Sequence, residues 1–250
     1  MSRLLVCDLD GTLLGDDDAL RKLLDAFRGP DAPVLAFATG RQGYSAAESL
    51  ARAGVTRGAY LIAGVGTELY RRIGKQWMPI ASWPRLERPW NADRVRQVLL
   101  RMPEVRPQQL RSPSAYKLSY FASAQAAQRV REALEAARID VTLVHSHGDM
   151  LDVLPAGIDK GAAVAWLAEH IGIALDDVVT CGNTANDLAM LHLRCASVVV
   201  GGSDDELLAR APSLPNTYVA GARCAAGIME GLRAFGWLNE SGWHTSSRYL

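Results

Sequence analysis

The sequence predicts an α/β protein with a central parallel sheet and a smaller α/β module inserted into it. Short apolar runs without polar alternation are typical of strands that are buried on both faces of a parallel sheet. Such runs occupy residues 4–7, 34–38, 60–63 and 178–181. Segments with apolar residues at helical spacing alternate with these runs, and polar residues cluster where the runs end. Together these patterns indicate a Rossmann-like core.

The stretch from residue 83 to 154 has a different texture. It opens on a Pro- and Trp-rich stretch that is typical of a domain boundary. Its segments follow the order helix, strand, helix, strand, strand, and the strand at 116–121 alternates in polarity, which indicates one solvated face. We therefore predict a core formed by 1–82 and 155–250, with 83–154 as an inserted cap domain.

Composition argues against several classes of partner and compartment. The chain has 27 Lys and Arg against 27 Asp and Glu, so no net charge points to nucleic acid or to an anionic membrane. No apolar run approaches the length of a membrane span, and Asp8 comes too early for the core of a signal peptide. The four cysteines are far apart and lack C-x-x-C spacing, which favours a reducing cytoplasm over a disulfide framework.

Two carboxylates follow the first predicted strand directly, in Asp8-Leu9-Asp10-Gly11-Thr12. In open α/β sheets, ligands bind at the carboxyl edge where this motif lies. Carboxylates this close repel each other, so each is expected to hold a metal, share a proton or perform a separate task. A solvated acidic turn is the alternative when the motif is taken alone.

Further polar groups follow the other strands in a fixed order. Thr39 precedes Gly40-Arg41 at the second strand end, where a hydroxyl and backbone N–H groups suit a phosphate. Lys160 opens a helix, and the run Gly182-Asn183-Thr184-Ala185-Asn186-Asp187 follows a later strand. Each alone is explained as a helix cap or a solvated side chain. Together they supply what Mg²⁺-assisted phosphoryl transfer requires, namely a nucleophile, metal ligands and groups that hold charge.

These motifs, D-x-D-G-T, T-G-R, a lone lysine and G-x-x-x-N-D, resemble those of the haloacid dehalogenase (HAD) superfamily of phosphatases. The inserted segment resembles the α/β cap of C2B type in that superfamily. Within it, the chain is similar to sucrose-phosphate phosphatases from about residue 4 to residue 238. The more specific points of likeness include 37–41, 64–70, 117–120, 152–155 and 226–230.

The resemblance implies a role for each motif residue. Asp8 would attack phosphorus to give an aspartyl phosphate, and Asp10 would protonate the leaving sugar oxygen and then activate water. Thr39 and Lys160 would hold the phosphoryl group. The residues implied to contact the substrate are Thr39, Gly40, Arg41, Lys117 and Asn186. The residues implied to hold Mg²⁺ are Asp8, the Asp10 carbonyl, Asn183 and Asp187.

Asn183 is a departure from the family pattern, which usually reads G-D-x-x-N-D. The missing carboxylate is expected to weaken metal binding. The reaction that the resemblance implies is hydrolysis of a disaccharide phosphate, with sucrose 6-phosphate preferred. Mannosylfructose phosphate and glucosylglycerol phosphate are alternative substrates. A non-catalytic sugar-phosphate-binding module that docks on a glycosyltransferase, such as a sucrose-phosphate synthase, is the alternative of a different class. The polar tail from Asn239 is predicted to be disordered.

Overall fold

A computed structural model describes residues 2–29, 31–109, 114–239 and 242–243. Over these residues the strands, in chain order, are β1 Leu4–Cys7, β2 Val34–Ala38, β3 Tyr60–Ala63, β4 Glu68–Ile73, β5 Gln76–Pro79, β6 Arg106–Pro107, β7 Leu118–Phe121, β8 Val141–Ser146, β9 Met150–Pro155, β10 Val178–Gly182, β11 Ala196–Gly201, β12 Thr217–Arg223, β13 Leu238–Asn239 and β14 Gly242–Trp243. The α-helices are α1 Asp17–Ala26, α2 Gly43–Arg52, α3 Ala92–Leu99, α4 Ala124–Ala136, α5 Lys160–His170, α6 Leu188–Leu191, α7 Asp205–Arg210 and α8 Cys224–Ala234.

The larger sheet has the strand order β12-β11-β10-β1-β2-β3-β4-β5. The six strands from β12 to β3 are parallel, and β1 lies in the middle between β2 and β10. Two buried clusters of apolar side chains cover the two faces of this sheet. The apolar runs predicted as buried strands are therefore confirmed, because alternate side chains of each run enter opposite clusters.

The hairpin of β4 and β5 was not predicted from the sequence. It extends the larger sheet antiparallel to β3 and leaves one face in contact with solvent. Its exposed side chains include the apolar residues Ile73 and Met78, so apolar residues in the hairpin do not mark its buried positions. An edge hairpin of this kind gives a weak period-2 signal, since only part of one face is buried.

The smaller sheet has the order β6-β7-β9-β8 and is antiparallel. Helices α3 and α4 pack on it around a separate apolar cluster that includes Val95, Val130 and Leu151. All of these elements lie between residues 92 and 155. The predicted α/β fold with a second, inserted sheet is confirmed, and the exact domain boundaries stay a prediction. We call the β6–β9 sheet with α3 and α4 the cap.

The chain end returns to the larger domain. Strands β13 and β14 form an antiparallel pair, and the Trp243 indole donates to the Ala26 carbonyl at 2.7 Å. The Trp243 and Phe27 rings lie edge to face, 4.8 Å apart. The prediction of a disordered tail is wrong for Asn239 and for Gly242–Trp243, which lie in β13 and β14, and the other tail residues lie outside the described residues. Within the described part of the chain, no helix has the length and apolarity needed to cross a bilayer.

Candidate active site

The carboxyl ends of β1, β2 and β10 gather the predicted site residues. The in-register pairs Cys7 with Phe37 and Cys7 with Cys181 bring the three strand ends to the same level. Gly11 then turns the chain away from β1 with φ of +77°. A Cβ atom at this position would lie 2.5 Å from Asn183 Nδ2, so the close approach of the two loops requires glycine.

Lys160 is the fully buried centre of the site. Its Nζ donates to Asp8 Oδ1 at 2.8 Å, to Asp187 Oδ1 at 2.6 Å and to Asn186 Oδ1 at 2.9 Å. Burial lowers the pKa of Lys160, but the Asp187 and Asp8 carboxylates outweigh that effect and the net shift is upward. The lysine therefore stays an ammonium, and its three donors are satisfied by these three acceptors.

Asp8 is the carboxylate most strongly affected by its surroundings. Burial raises the pKa of Asp8 to about 7, although the neighbouring Lys160 ammonium acts in the opposite direction. The side chain is only 5% exposed but lines the cavity described below. A carboxylate with little water around it, held by one ammonium and open to a cavity, has the geometry of an attacking group.

Asp187 connects Lys160 to the loop after β10. While its Oδ1 accepts from Lys160, its Oδ2 accepts from the backbone N–H groups of Asn183 and Thr184, at 2.9 and 3.1 Å. Both carboxylate oxygens are thus engaged by protein donors, and the side chain is fully buried. The sequence placed Asp187 with the metal ligands, and its observed contacts fit a residue that positions Lys160 and this loop.

Asp10 and Arg41 form a bidentate ion pair above Asp8. Arg41 Nε and Nη2 donate to the two oxygens of Asp10 at 2.7 Å each, and Nη1 donates to Ser49 Oγ at 3.0 Å. Both partners of the ion pair are partly exposed, with 49% of the Asp10 side chain accessible. Arg41 was predicted to contact substrate, and here its guanidinium orients Asp10 from the solvent side.

Thr39 is almost completely buried at the end of β2. Its Oγ accepts from the Arg41 N–H at 3.1 Å, which folds the Thr39-Gly40-Arg41 turn back over the strand end. Helix α2 begins two residues later, and the N–H of Gly43 donates to Glu68 Oε2 at 3.1 Å. The turn is therefore held both by its own hydroxyl and by a carboxylate from β4.

Lys117 reaches the site from the cap. Its Nζ donates to the Gly40 carbonyl at 3.0 Å and pairs with Asp152 Oδ2 at 2.9 Å. Ser119 Oγ donates to the other oxygen of Asp152 at 2.6 Å. This network joins β7 and β9 of the cap to the turn after β2, so cap and core residues share one set of polar contacts.

A cavity of about 450 Å³ lies between the strand ends and the cap. The predicted residues that line it are Asp8, Asp10, Thr39, Gly40, Arg41, Lys117 and Asn186. Lys160 and Asp187 lie behind Asp8, and the Asn183 side chain lies against Gly11 and Thr12 in the loop after β1. The sequence reasoning did not select the remaining cap residues of the lining, which include Gln108, Ser146, His147, Met150 and Asp152. Asp152 entered the sequence analysis only as part of the 152–155 segment of family likeness, without a role of its own.

The donor atoms present fit Mg²⁺. The Asp8 carboxylate and the Asn183 amide oxygen are hard oxygen ligands of the type that Mg²⁺ prefers. Asn183 Oδ1 accepts from Thr12 Oγ1 at 3.0 Å, which fixes the amide beside the β1 loop. Over the described residues no three His, Cys, Asp or Glu side chains form a metal-binding group. A metal here would therefore depend on backbone and amide oxygens and on water to complete its shell.

Comparison with known proteins identifies the family. The model of the sucrose-6F-phosphate phosphohydrolase family matches residues 1–236. A mannosylfructose-phosphate phosphatase of Agrobacterium fabrum is 36% identical over 94% of this chain and 97% of its own. A glucosylglycerol-phosphate synthase of Pseudomonas anguilliseptica is 30% identical over 96% of this chain, which spans only 31% of that longer protein.

Solved structures agree with this assignment. The sucrose-phosphatase of Synechocystis sp. PCC6803, in complex with sucrose and phosphate, superposes with a TM-score of 0.86 at 28% identity, covering 94% of this chain and 98% of that one. A phosphatase of the HAD superfamily from Bacteroides thetaiotaomicron shares the fold, with a TM-score of 0.70 at 20% identity, covering 94% and 96% of the two chains. The chain is thus a sugar-phosphate phosphatase of HAD fold, and it belongs to the sucrose-6F-phosphate phosphohydrolase family.

Proposed function

We propose that the chain hydrolyses the phosphomonoester of a disaccharide phosphate, preferentially sucrose 6-phosphate, through an aspartyl phosphate on Asp8 and with Mg²⁺. One observation carries the proposal. Asp8, held by a buried lysine, faces a cavity of about 450 Å³ whose opposite wall is formed by polar side chains of the cap. The cavity therefore joins a phosphoryl-transfer group to a surface that can hydrogen bond to sugar hydroxyls.

In the first step a carboxylate oxygen of Asp8 attacks phosphorus while the bond from phosphorus to the sugar oxygen breaks. The sugar oxygen leaves with the electron pair of that bond, and Asp10 donates a proton to it. Asp10 suits this task because it lies two residues beyond Asp8, at the solvent side of the cavity, and it takes up the proton that it donates when its ion pair with Arg41 opens. The products of the step are the free sugar and the Asp8 acyl phosphate.

In the second step water attacks phosphorus and the bond between phosphorus and the Asp8 oxygen breaks. Asp10, now ionised, takes the proton from that water, and inorganic phosphate leaves. Asp8 returns as a carboxylate and Asp10 as an acid, so the residues are restored. The same carboxyl group serves both steps because the leaving oxygen and the attacking water approach from the same side of phosphorus.

The charge on the transferred phosphoryl group is held by groups around Asp8. The Lys160 ammonium and the hydroxyl and backbone N–H groups of the Thr39 turn are the protein's contribution. Mg²⁺, when bound, neutralises phosphoryl oxygens as a Lewis acid. Asp8, the Asp10 carbonyl and Asn183 are proposed to hold it, and Asp187 is proposed to act on the site through Lys160 and the loop that it fixes.

The choice of substrate depends on the cap. Lys117, Gln108 and Asp152 offer a cation, an amide and a carboxylate to sugar hydroxyls, a mixture suited to a polyol. Mannosylfructose phosphate and glucosylglycerol phosphate stay as alternatives, because one relative is a mannosylfructose-phosphate phosphatase and another is a glucosylglycerol-phosphate synthase. Phosphate release from a panel of sugar phosphates with Mg²⁺ tests the choice. A higher kcat/KM for mannosylfructose phosphate than for sucrose 6-phosphate would overturn the preferred substrate.

A glycosyltransferase that makes the sugar phosphate is the partner we infer, because the Pseudomonas relative carries a segment like this chain within a synthase. A cytoplasmic location is inferred from the cysteines, all four of which are free thiols within the described residues. A pull-down with the cognate glycosyltransferase and fractionation of cells test these two inferences separately.

A further inference from the structure

A turn with an unusual backbone lies directly beneath the site. Residues 64, 65 and 66 all have positive φ, at +58°, +59° and +99°, and Val65 is a buried β-branched residue in a region that such residues rarely adopt. We call this segment the glycine turn. A conformation of this kind persists only where the surrounding structure holds it in place, so its contacts indicate what it is for.

The glycine turn touches both groups that are proposed to hold the phosphoryl group. The Val65 N–H donates to the Thr39 carbonyl at 3.0 Å, and the Gly64 N–H donates to the Arg41 carbonyl at 2.7 Å. On its other side, a Cβ atom added at Gly66 would lie 2.1 Å from the Asp159 carbonyl oxygen and 2.8 Å from the Lys160 nitrogen. The turn therefore sets the spacing between the end of β2 and the start of α5.

Trp83, the first residue of the predicted cap segment, contacts the glycine turn. Its indole N–H donates to the Gly66 carbonyl at 2.8 Å, and the side chain is only 8% exposed. Its ring also packs on Trp166 of α5, with centroids 5.5 Å apart. One side chain in the linker that precedes the cap, buried in a core cluster, thus contacts the two elements that place Thr39 and Lys160.

We propose that Trp83, in the linker between β5 and the cap, is a positioning residue, which holds the glycine turn against α5 and so fixes the phosphoryl-binding groups. The inference deepens the proposed function and rests on it, since it requires Thr39 and Lys160 to act on the phosphoryl group. Without the indole N–H, the Gly66 carbonyl loses its partner and the spacing of the two elements relaxes. A small displacement of groups that act in the transition state lowers kcat more than it changes substrate affinity.

The chain offers two matched controls. The indoles of Trp90 and Trp243 also donate to single backbone carbonyls, those of Ala115 at 2.8 Å and Ala26 at 2.7 Å. Neither carbonyl belongs to the glycine turn. Substituting each tryptophan by Phe removes one N–H donor and keeps an aromatic ring. The three variants therefore differ mainly in which backbone carbonyl loses its hydrogen bond.

The experiment measures kcat and KM of Trp83→Phe, Trp90→Phe and Trp243→Phe with Mg²⁺, well below their thermal midpoints. The substrates are the best sugar phosphate of the panel and p-nitrophenyl phosphate. For Trp83→Phe we expect a fall in kcat of about tenfold with both substrates and a change in KM of less than about twofold. For the two control variants we expect kcat within about twofold of wild type.

Two results would overturn the inference: an unchanged kcat in Trp83→Phe, or an equal loss of kcat in Trp243→Phe. If Trp83→Phe does not fold, 3-benzothienylalanine at position 83 replaces the N–H by sulfur in a ring of the same shape, and the same kcat criterion applies. Asp8→Asn is assayed in parallel. Activity retained by Asp8→Asn would refute the proposed function, whereas an inactive Asp8→Asn beside an unaffected Trp83→Phe would refute only the positioning role.

Discussion

The two lysines of the site approach it from opposite sides and are held in different ways. Lys160, in the core, is fully buried, and two of its three acceptors are carboxylates. Lys117, in the cap, is 8% exposed and has one carboxylate partner, while its other contact is the Gly40 carbonyl of the core. All partners of Lys160 belong to the core, whereas Lys117 has one partner in the cap and one in the core.

This difference separates chemistry from recognition. The contacts of Lys160 are all made within the core, so they persist whatever the position of the cap. The Lys117 contact with Gly40 exists only while the cap lies against the core, so it changes with cap position. We call the site residues around Lys160 the core half of the site and those around Lys117 the cap half. We therefore expect substitutions in the core half to lower kcat with every phosphate ester. Substitutions in the cap half should lower kcat/KM only for the sugar phosphate.

The largest effect is expected for Asp8→Asn. An amide does not form the acyl phosphate, so kcat should fall by a factor of about 10³ or more with both sugar phosphate and p-nitrophenyl phosphate. Asp18→Asn, at an exposed position of α1, is the matched control and should keep wild-type activity. Circular dichroism and thermal unfolding check the fold. If Asp8→Asn retained more than about a hundredth of the activity, another residue would be the nucleophile.

The next effect is expected for Lys117→Met. Loss of the cation that lines the cavity from the cap should lower kcat/KM for the sugar phosphate by about thirtyfold, mainly through KM. With p-nitrophenyl phosphate, which lacks the sugar, the change should stay within about threefold. Lys75→Met, in the exposed β4–β5 turn, is the control. Equal losses with both substrates would remove the distinction between the two halves of the site.

The sequence predicted the core side of the site better than the cap side. Asp8, Asp10, Thr39 and Lys160 follow buried parallel strands or open a helix, so strand ends and short motifs were enough to place them at one edge. The cap wall is formed by alternate positions of an antiparallel sheet and by a hairpin turn. His147 and Gln108 carry no motif, and their arrival at the cavity depends on how two domains pack, which local sequence does not encode.

The roles of Arg41 and of the glycine turn also depend on tertiary contacts. The ion pair of Arg41 with Asp10 joins two loops, so the sequence suggested only a substrate contact for Arg41. The glycine turn lies in the 64–70 segment of family likeness, for which the sequence indicated no role, because that role depends on Trp83 and α5, which are distant in the chain. The role of a residue that acts through a neighbouring residue therefore could not be predicted from the sequence alone.

The third prediction concerns pH and Mg²⁺ in the core half. Because burial raises the pKa of Asp8 to about 7, we expect a proton to compete below that pH with the Mg²⁺ that Asp8 is proposed to hold. The dissociation constant of Mg²⁺, measured by calorimetry, should rise about tenfold from pH 8 to pH 6. Asp8→Asn should remove most of this pH dependence. A flat profile in the wild-type protein would show that the proton does not compete at Asp8.

The smallest effect is expected for Asn183→Asp. The Asn183 amide oxygen accepts from Thr12 Oγ1 at 3.0 Å, and an aspartate keeps this acceptor while adding a negative charge next to the loop after β1. Since Mg²⁺ prefers carboxylates, the half-saturating Mg²⁺ concentration should fall by about fivefold. Asn186→Asp is the control, because its new charge would face the Lys160 ammonium. An unchanged Mg²⁺ requirement in Asn183→Asp would mean that this position does not bind the metal. An equal fall in both variants would instead assign the effect to the general electrostatic potential of the core half.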